Sequence, residues 1–96
     1  VTMATDKRSR KAALKWAARG GRDAKKAMRS FLANLASLGL DQRLMAKHGP
    51  DPARIENDRQ MLTEAADNRR EFLRLTSLAE QQHDVSKAVS SRARAA

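Results

Sequence analysis

The stretch DPARIENDRQMLTEAADNRREFLRLTSLAEQQHDVSKAV, residues 51–89, holds no glycine and no proline after Pro52. A capping carboxylate followed by proline at the first helical position is a strong start signal, because the ring pre-sets φ where the missing N–H has no partner anyway. With no later breaker, the stretch predicts one helix of about 38 residues, roughly 57 Å long. Such a helix outgrows the globule that a 96-residue chain can form, so it sets the fold. Everything upstream must pack along it or leave it bare.

The apolar positions of this helix turn around its axis. Ile55, Leu62, Ala65, Ala66, Phe72 and Leu73 share one side, whereas Leu75, Leu78, Val85 and Val89 lie roughly 100° or more away at 3.6 residues per turn. Heptad drift of about 20° per repeat explains only part of this. Either the helix kinks near Thr76-Ser77, or it is continuous and its halves pack on different partners, the first within the chain and the second on another copy. The second reading is favoured, since a small chain is marginal alone and an apolar row in water invites a partner. Leu75, Leu78, Val85 and Val89 are therefore the candidate oligomerisation residues.

Upstream, Gly49-Pro50 ends a brief third helix that begins at Asp41. Within residues 37–41 Gly39 reads as a stop, with Leu40 folding back and Asp41 capping the restart. The second helix then runs from a cap at Asp23, with Met28, Phe31, Leu32, Leu35 and Leu38 on one stripe and Lys25, Lys26 and Arg29 opposite. Gly20-Gly21 closes a short first helix over residues 6–19. The expected fold is all-α: a short basic N-terminal helix, then an antiparallel helical hairpin with a long C-terminal helix, oligomeric. Its parts are a basic arm over residues 1–22, a hairpin body over 23–85 and a basic, disordered tail over 86–96. Because glycines separate arm from body, removal of residues 1–21 is expected to leave the body folded.

Composition agrees with helices. Leucine, methionine and alanine supply the core, aromatics are limited to Trp16, Phe31 and Phe72, and there is no tyrosine. Absence of cysteine removes disulfides, thiolate metal sites and cysteine nucleophiles. No run approaches the roughly 20 apolar residues of a membrane span, and the start lacks a signal-peptide core. A cytoplasmic protein with no membrane partner is expected.

The net charge of +9 is concentrated: residues 1–30 hold ten Lys/Arg against Asp6 and Asp23, while residues 31–86 are slightly acidic. On the first helix Lys7, Arg8, Lys11, Lys15 and Arg19 fall within an arc of about 120°, with Ala12, Ala13, Trp16 and Ala17 on the other side. Like charges four apart repel by a few tenths of a kcal/mol per pair and would be relieved by phosphates, so the arm is expected to order mainly on binding. The positive charge continues through Arg22, Lys25, Lys26 and Arg29. These nine residues are the candidate nucleic-acid contacts, with DNA favoured over RNA. Trp16 could stack on a base, but among alanines it reads as an anchor that docks its helix on the body.

Residues 34–45 have the outline of a helix-turn-helix that would aim Gln42, Arg43, Ala46 and Lys47 at a DNA groove. Leu35 stands where a small residue normally lets the helices approach, so an ordinary helix–helix corner is the preferred reading. A hairpin of this length also resembles in outline the small secreted proteins of the WXG100 family. His48-Gly49-Pro50-Asp51 replaces their Trp-x-Gly at the turn, and the likeness is one of architecture alone.

No catalytic constellation is apparent. His48 and His83 are isolated, Asp67 and Glu71 are interleaved with Arg70 and Arg74 as an ion-pair ladder, and no phosphate loop or metal-ligand spacing occurs. The expectation is a non-enzymatic, oligomeric nucleic-acid-binding or assembly module with no cofactor, metal or small-molecule substrate. The alternative is a protein–protein adaptor whose basic arm docks an acidic partner.

Overall fold

The computed structural model describes the backbone of residues 7–95 and the side chains of residues 7–89. Among them are three α-helices and no strand: α1, Lys7–Ala17; α2, Arg22–His48; and α3, Pro52–Ala95. A single 3-10 turn, Ala18–Gly20, joins α1 to α2. Gly20 and then, along α2, Phe31, Asn34 and Asp41 meet Thr76, Phe72, Asn68 and Arg54 of α3 in turn, so α2 and α3 run in opposed directions.

Helix α3 starts as its sequence requires. Asp51 accepts hydrogen bonds on Oδ1 from the backbone N–H groups of Ala53 (3.1 Å) and Arg54 (3.4 Å). The helix is uninterrupted for 44 residues, and the 70 Å long axis of the molecule matches about 66 Å for a straight helix of that length. It is therefore not sharply kinked at Thr76-Ser77. It also continues through the segment expected to be a disordered tail, because serine, alanine and arginine without glycine or proline give it no reason to stop before Ala95.

Helix α2 differs from expectation. It passes straight through Gly39 and Asp41 to His48, so the stop and restart, and with them the helix-turn-helix outline, are absent. Helical glycine costs about 0.5–1 kcal/mol relative to alanine. Burial of Leu38 beside it and a seam running the whole length of α2 outweigh that cost. The real break is at Gly49, whose φ of 94° only glycine adopts readily. At the other end Gly21, at φ 98°, stands at the N-cap position, and Asp23 makes no cap hydrogen bond.

The inward seam of α3 is Arg54, Asp58, Met61, Ala65, Asn68, Phe72 and Leu75, all buried or half-buried and spaced alternately four and three apart. That 3.5-residue period keeps one line facing a neighbouring helix. Ile55, Leu62 and Ala66, grouped with the core by their apolarity, are exposed.

The apolar core lies at one end, where Ala17, Ala24, Ala27, Met28, Leu32 and Phe72 cluster with Trp16, Phe31, Leu73 and Leu75 against them. Phe72 is its centre, edge-on to Trp16 at 5.8 Å and to Phe31 at 5.3 Å. Towards the α2–α3 turn the seam becomes polar. Asn68 Nδ2 donates to Asn34 Oδ1 at 2.9 Å, and farther along Asp41, Arg54 and Asp58 come together.

Helix α1 packs closely on the rest of the chain. Ala17 is 0% exposed, Trp16 lies on Phe72, and Gly20 sits against the backbone of Leu75 and Thr76. Gly20, expected with Gly21 to separate arm from body, instead allows close contact with it. Anchoring by Trp16 is thus observed, while a folded body without residues 1–21 would lack part of its own core.

Candidate nucleic-acid interface

Burying Ala13, Trp16 and Ala17 fixes the rotation of α1 about its axis, and this alone turns Arg8, Lys11, Lys15 and Arg19 to solvent at spacings of three, four and four. Lys7 flanks the row and is also exposed. On α2, burying Ala24, Ala27 and Met28 does the same for Arg22, Lys25, Lys26 and Arg29, which occupy positions i, i+3, i+4 and i+7 of one face. All are exposed except Lys25, which is half-buried. The nine sequence-predicted cations therefore lie along α1, the 3-10 turn after it, which carries Arg19, and the first two turns of α2.

Their electrostatic setting differs from that of four α3 arginines, though not from that of Arg69, which is exposed and likewise forms no salt bridge among the described residues. Arg54, Arg59, Arg70 and Arg74 each pair with an acid three residues earlier, at 3.3, 3.9, 3.4 and 2.8 Å, and the Asp67–Arg70 and Glu71–Arg74 pairs form the expected ladder. Among the described residues no salt bridge involves Lys7, Lys11, Lys15, Arg19, Arg22, Lys25, Lys26 or Arg29. Asp23 is the one acid within the described part of this region, and it is exposed. One feature is invisible in the sequence. Arg19 lines an open notch with Ala79, Glu80, His83 and Asp84 of α3, so two carboxylates temper the positive charge at that end of the α1 row.

The candidate oligomerisation residues divide. Leu75 packs on the core, whereas Leu78, Val85 and Val89 are 43, 62 and 60% exposed. From Glu80 to Val89 every α3 residue is exposed, as this part of the helix extends past α1 and α2. Gln42, Arg43, Ala46 and Lys47 lie on the exposed face of a continuous helix with no turn to present them.

A second polar cluster lies at the far end of the α2–α3 seam. Asp58 is 8% exposed and faces Asp41 across the helices, while Arg54 reaches Asp41 at 3.7 Å and Asp51 at 3.3 Å. The hydrogen-bonded Asp41 carboxyl, followed by loss of water, raises the Asp58 pKa, and the Arg54 charge opposes this. Among the described residues no group of three or more His, Cys, Asp or Glu is placed to hold a metal ion, and no helix is long and apolar enough to cross a membrane. No protein-family model matches the chain, and neither curated proteins nor solved structures provide a significant relative.

Proposed function

We propose that the chain is a non-enzymatic nucleic-acid-binding or assembly module that grips a polyanion through the phosphates, using the basic outer faces of α1 and the start of α2. The observation that supports this most is the contrast in pairing. The arginines at positions 54, 59, 70 and 74 of α3 each have an acid three residues earlier as ion partner, whereas among the described residues Lys7, Lys11, Lys15, Arg19, Arg22, Lys25, Lys26 and Arg29 form no salt bridge and are turned outward by core packing. An uncompensated positive face on a rigid support concentrates polyanions and gives salt-sensitive, weakly sequence-selective binding.

Self-association through Leu78, Val85 and Val89 belongs to the same reading. These residues form a free apolar row on the projecting half of α3, and pairing with another copy would cover it and present more than one basic face.

Fluorescence anisotropy against labelled duplex DNA across a salt series tests the binding. Five cations, Lys7, Arg8, Lys11 and Lys15 on α1 and Arg19 in the turn after it, imply a slope of log affinity against log salt of roughly −4 to −5 if each neutralises a phosphate, at about −0.9 per neutralised phosphate. Replacing Lys11 and Lys15 with alanine should reduce its magnitude by about two units and weaken all sequences alike. Absence of binding at low salt, with capture of an acidic polypeptide instead, would transfer the basic face to the adaptor role.

A further inference from the structure

Resting on that reading, we infer that the ligand of the basic face is a double-stranded nucleic acid held along its backbone, and not a single strand. Proteins that bind single strands draw about 1–3 kcal/mol per base from stacking on aromatic side chains, in addition to phosphate contacts. This chain has three aromatic side chains apart from its histidines, and none stands free: Phe72 is buried in the core, and Trp16 and Phe31, both half-buried, each meet it edge to face. No Tyr, Phe or Trp side chain stands fully exposed among the cations. His83, the imidazole beside Arg19, stands between Glu80 and Asp84, whose charges repel an approaching phosphate.

Rigidity leads to the same ligand. Ala17 and Ala24 are both 0% exposed where α1, α2 and α3 meet, so the cation rows are fixed relative to one another and cannot wrap around a flexible strand. A fixed row is best matched by a polyanion whose charges are fixed too, because ordering a flexible one costs entropy on binding. Duplex DNA is stiff over about 50 nm and carries its charge at regular intervals. From Arg8 to Lys15 the α1 row advances about 10.5 Å, a length over which one strand of a duplex, at roughly 3.4 Å per phosphate, presents about three phosphates to its three cations Arg8, Lys11 and Lys15.

The test is anisotropy at about 0.1 M salt with three labelled probes, namely a duplex DNA, one of its strands alone and heparin, while Trp16 emission is followed. Duplex binding at least about tenfold tighter than single-strand binding, with Trp16 emission unchanged, is expected. A single strand that binds as tightly as the duplex, or that quenches Trp16, overturns this inference and leaves the polyanion reading intact. Binding of heparin alone overturns the inference and the nucleic-acid assignment together. Failure with all three probes removes the polyanion reading itself.

Discussion

Gly20 lies directly against the backbone of Thr76. A β-carbon placed on Gly20 would stand 2.9 Å from the Thr76 nitrogen, 3.0 Å from the Leu75 carbonyl carbon and 2.8 Å from the β-carbon of Ala24. Two of these neighbours belong to the backbone of a long helix and cannot move aside alone. The α1–α2 turn therefore reaches α3 only because residue 20 has no side chain.

Gly20→Ala should destabilise the protein by about 1–3 kcal/mol, the usual cost of overpacking. Gly39→Ala is the control. A β-carbon there meets nothing within 4 Å inside a regular helix, so the change should stabilise by about 0.5–1 kcal/mol. Thermal denaturation followed by circular dichroism should move the two midpoints in opposite directions. A shared direction would show that the turn does not press on α3.

Trp16→Ala should cost about 3 kcal/mol, the low end for a core tryptophan, since the ring keeps some exposure while resting on Phe72. Urea unfolding measures it. An unchanged midpoint would mean that α1 contributes nothing to the core and that residues 1–21 are separable after all.

Asp58 should make stability depend on pH. Its folded pKa is raised, so the folded chain holds the proton more tightly than the unfolded chain does. The contribution is fully present below the ordinary carboxylate value and is lost as pH rises through the raised one. Asp58→Asn keeps the shape without the charge. It should raise stability at neutral pH and reduce the decline expected as pH rises above the ordinary carboxylate value. Equal pH profiles for the variant and the unmodified protein, or a carboxyl NMR titration placing Asp58 at or below its ordinary value, would contradict this.

Leu78→Asp combined with Val85→Asp should convert an associating protein to monomer with helicity retained, because both side chains are exposed and outside the core cluster. Sedimentation velocity at micromolar concentration reads the outcome. If the unmodified chain already sediments as a monomer, the projecting half of α3 has some other role.

Local chemistry determined much of this protein from sequence alone. The Asp51-Pro52 start, the absence of later breakers and the Ala/Leu-rich composition give a long helix in an all-α chain, and Gly49 ends its predecessor. The rotation of α1 was equally legible, since its basic and small-residue faces are cleanly separated and Trp16 identifies the buried one.

Tertiary structure decided what depends on the register between helices. Three positions of the α3 seam, Arg54, Asp58 and Asn68, are polar, while neighbouring Ile55 and Leu62 are exposed, so a stripe drawn from apolarity alone misses the inward line. A polar side chain can face inward when a partner waits on the opposite helix, as Asn34 does for Asn68, and that partner is 34 residues away in the chain. The continuity of α2 through Gly39 and the contact of Gly20 with Thr76 have the same origin. A glycine's local preference is worth about 1 kcal/mol, and packing along a whole helix outweighs it.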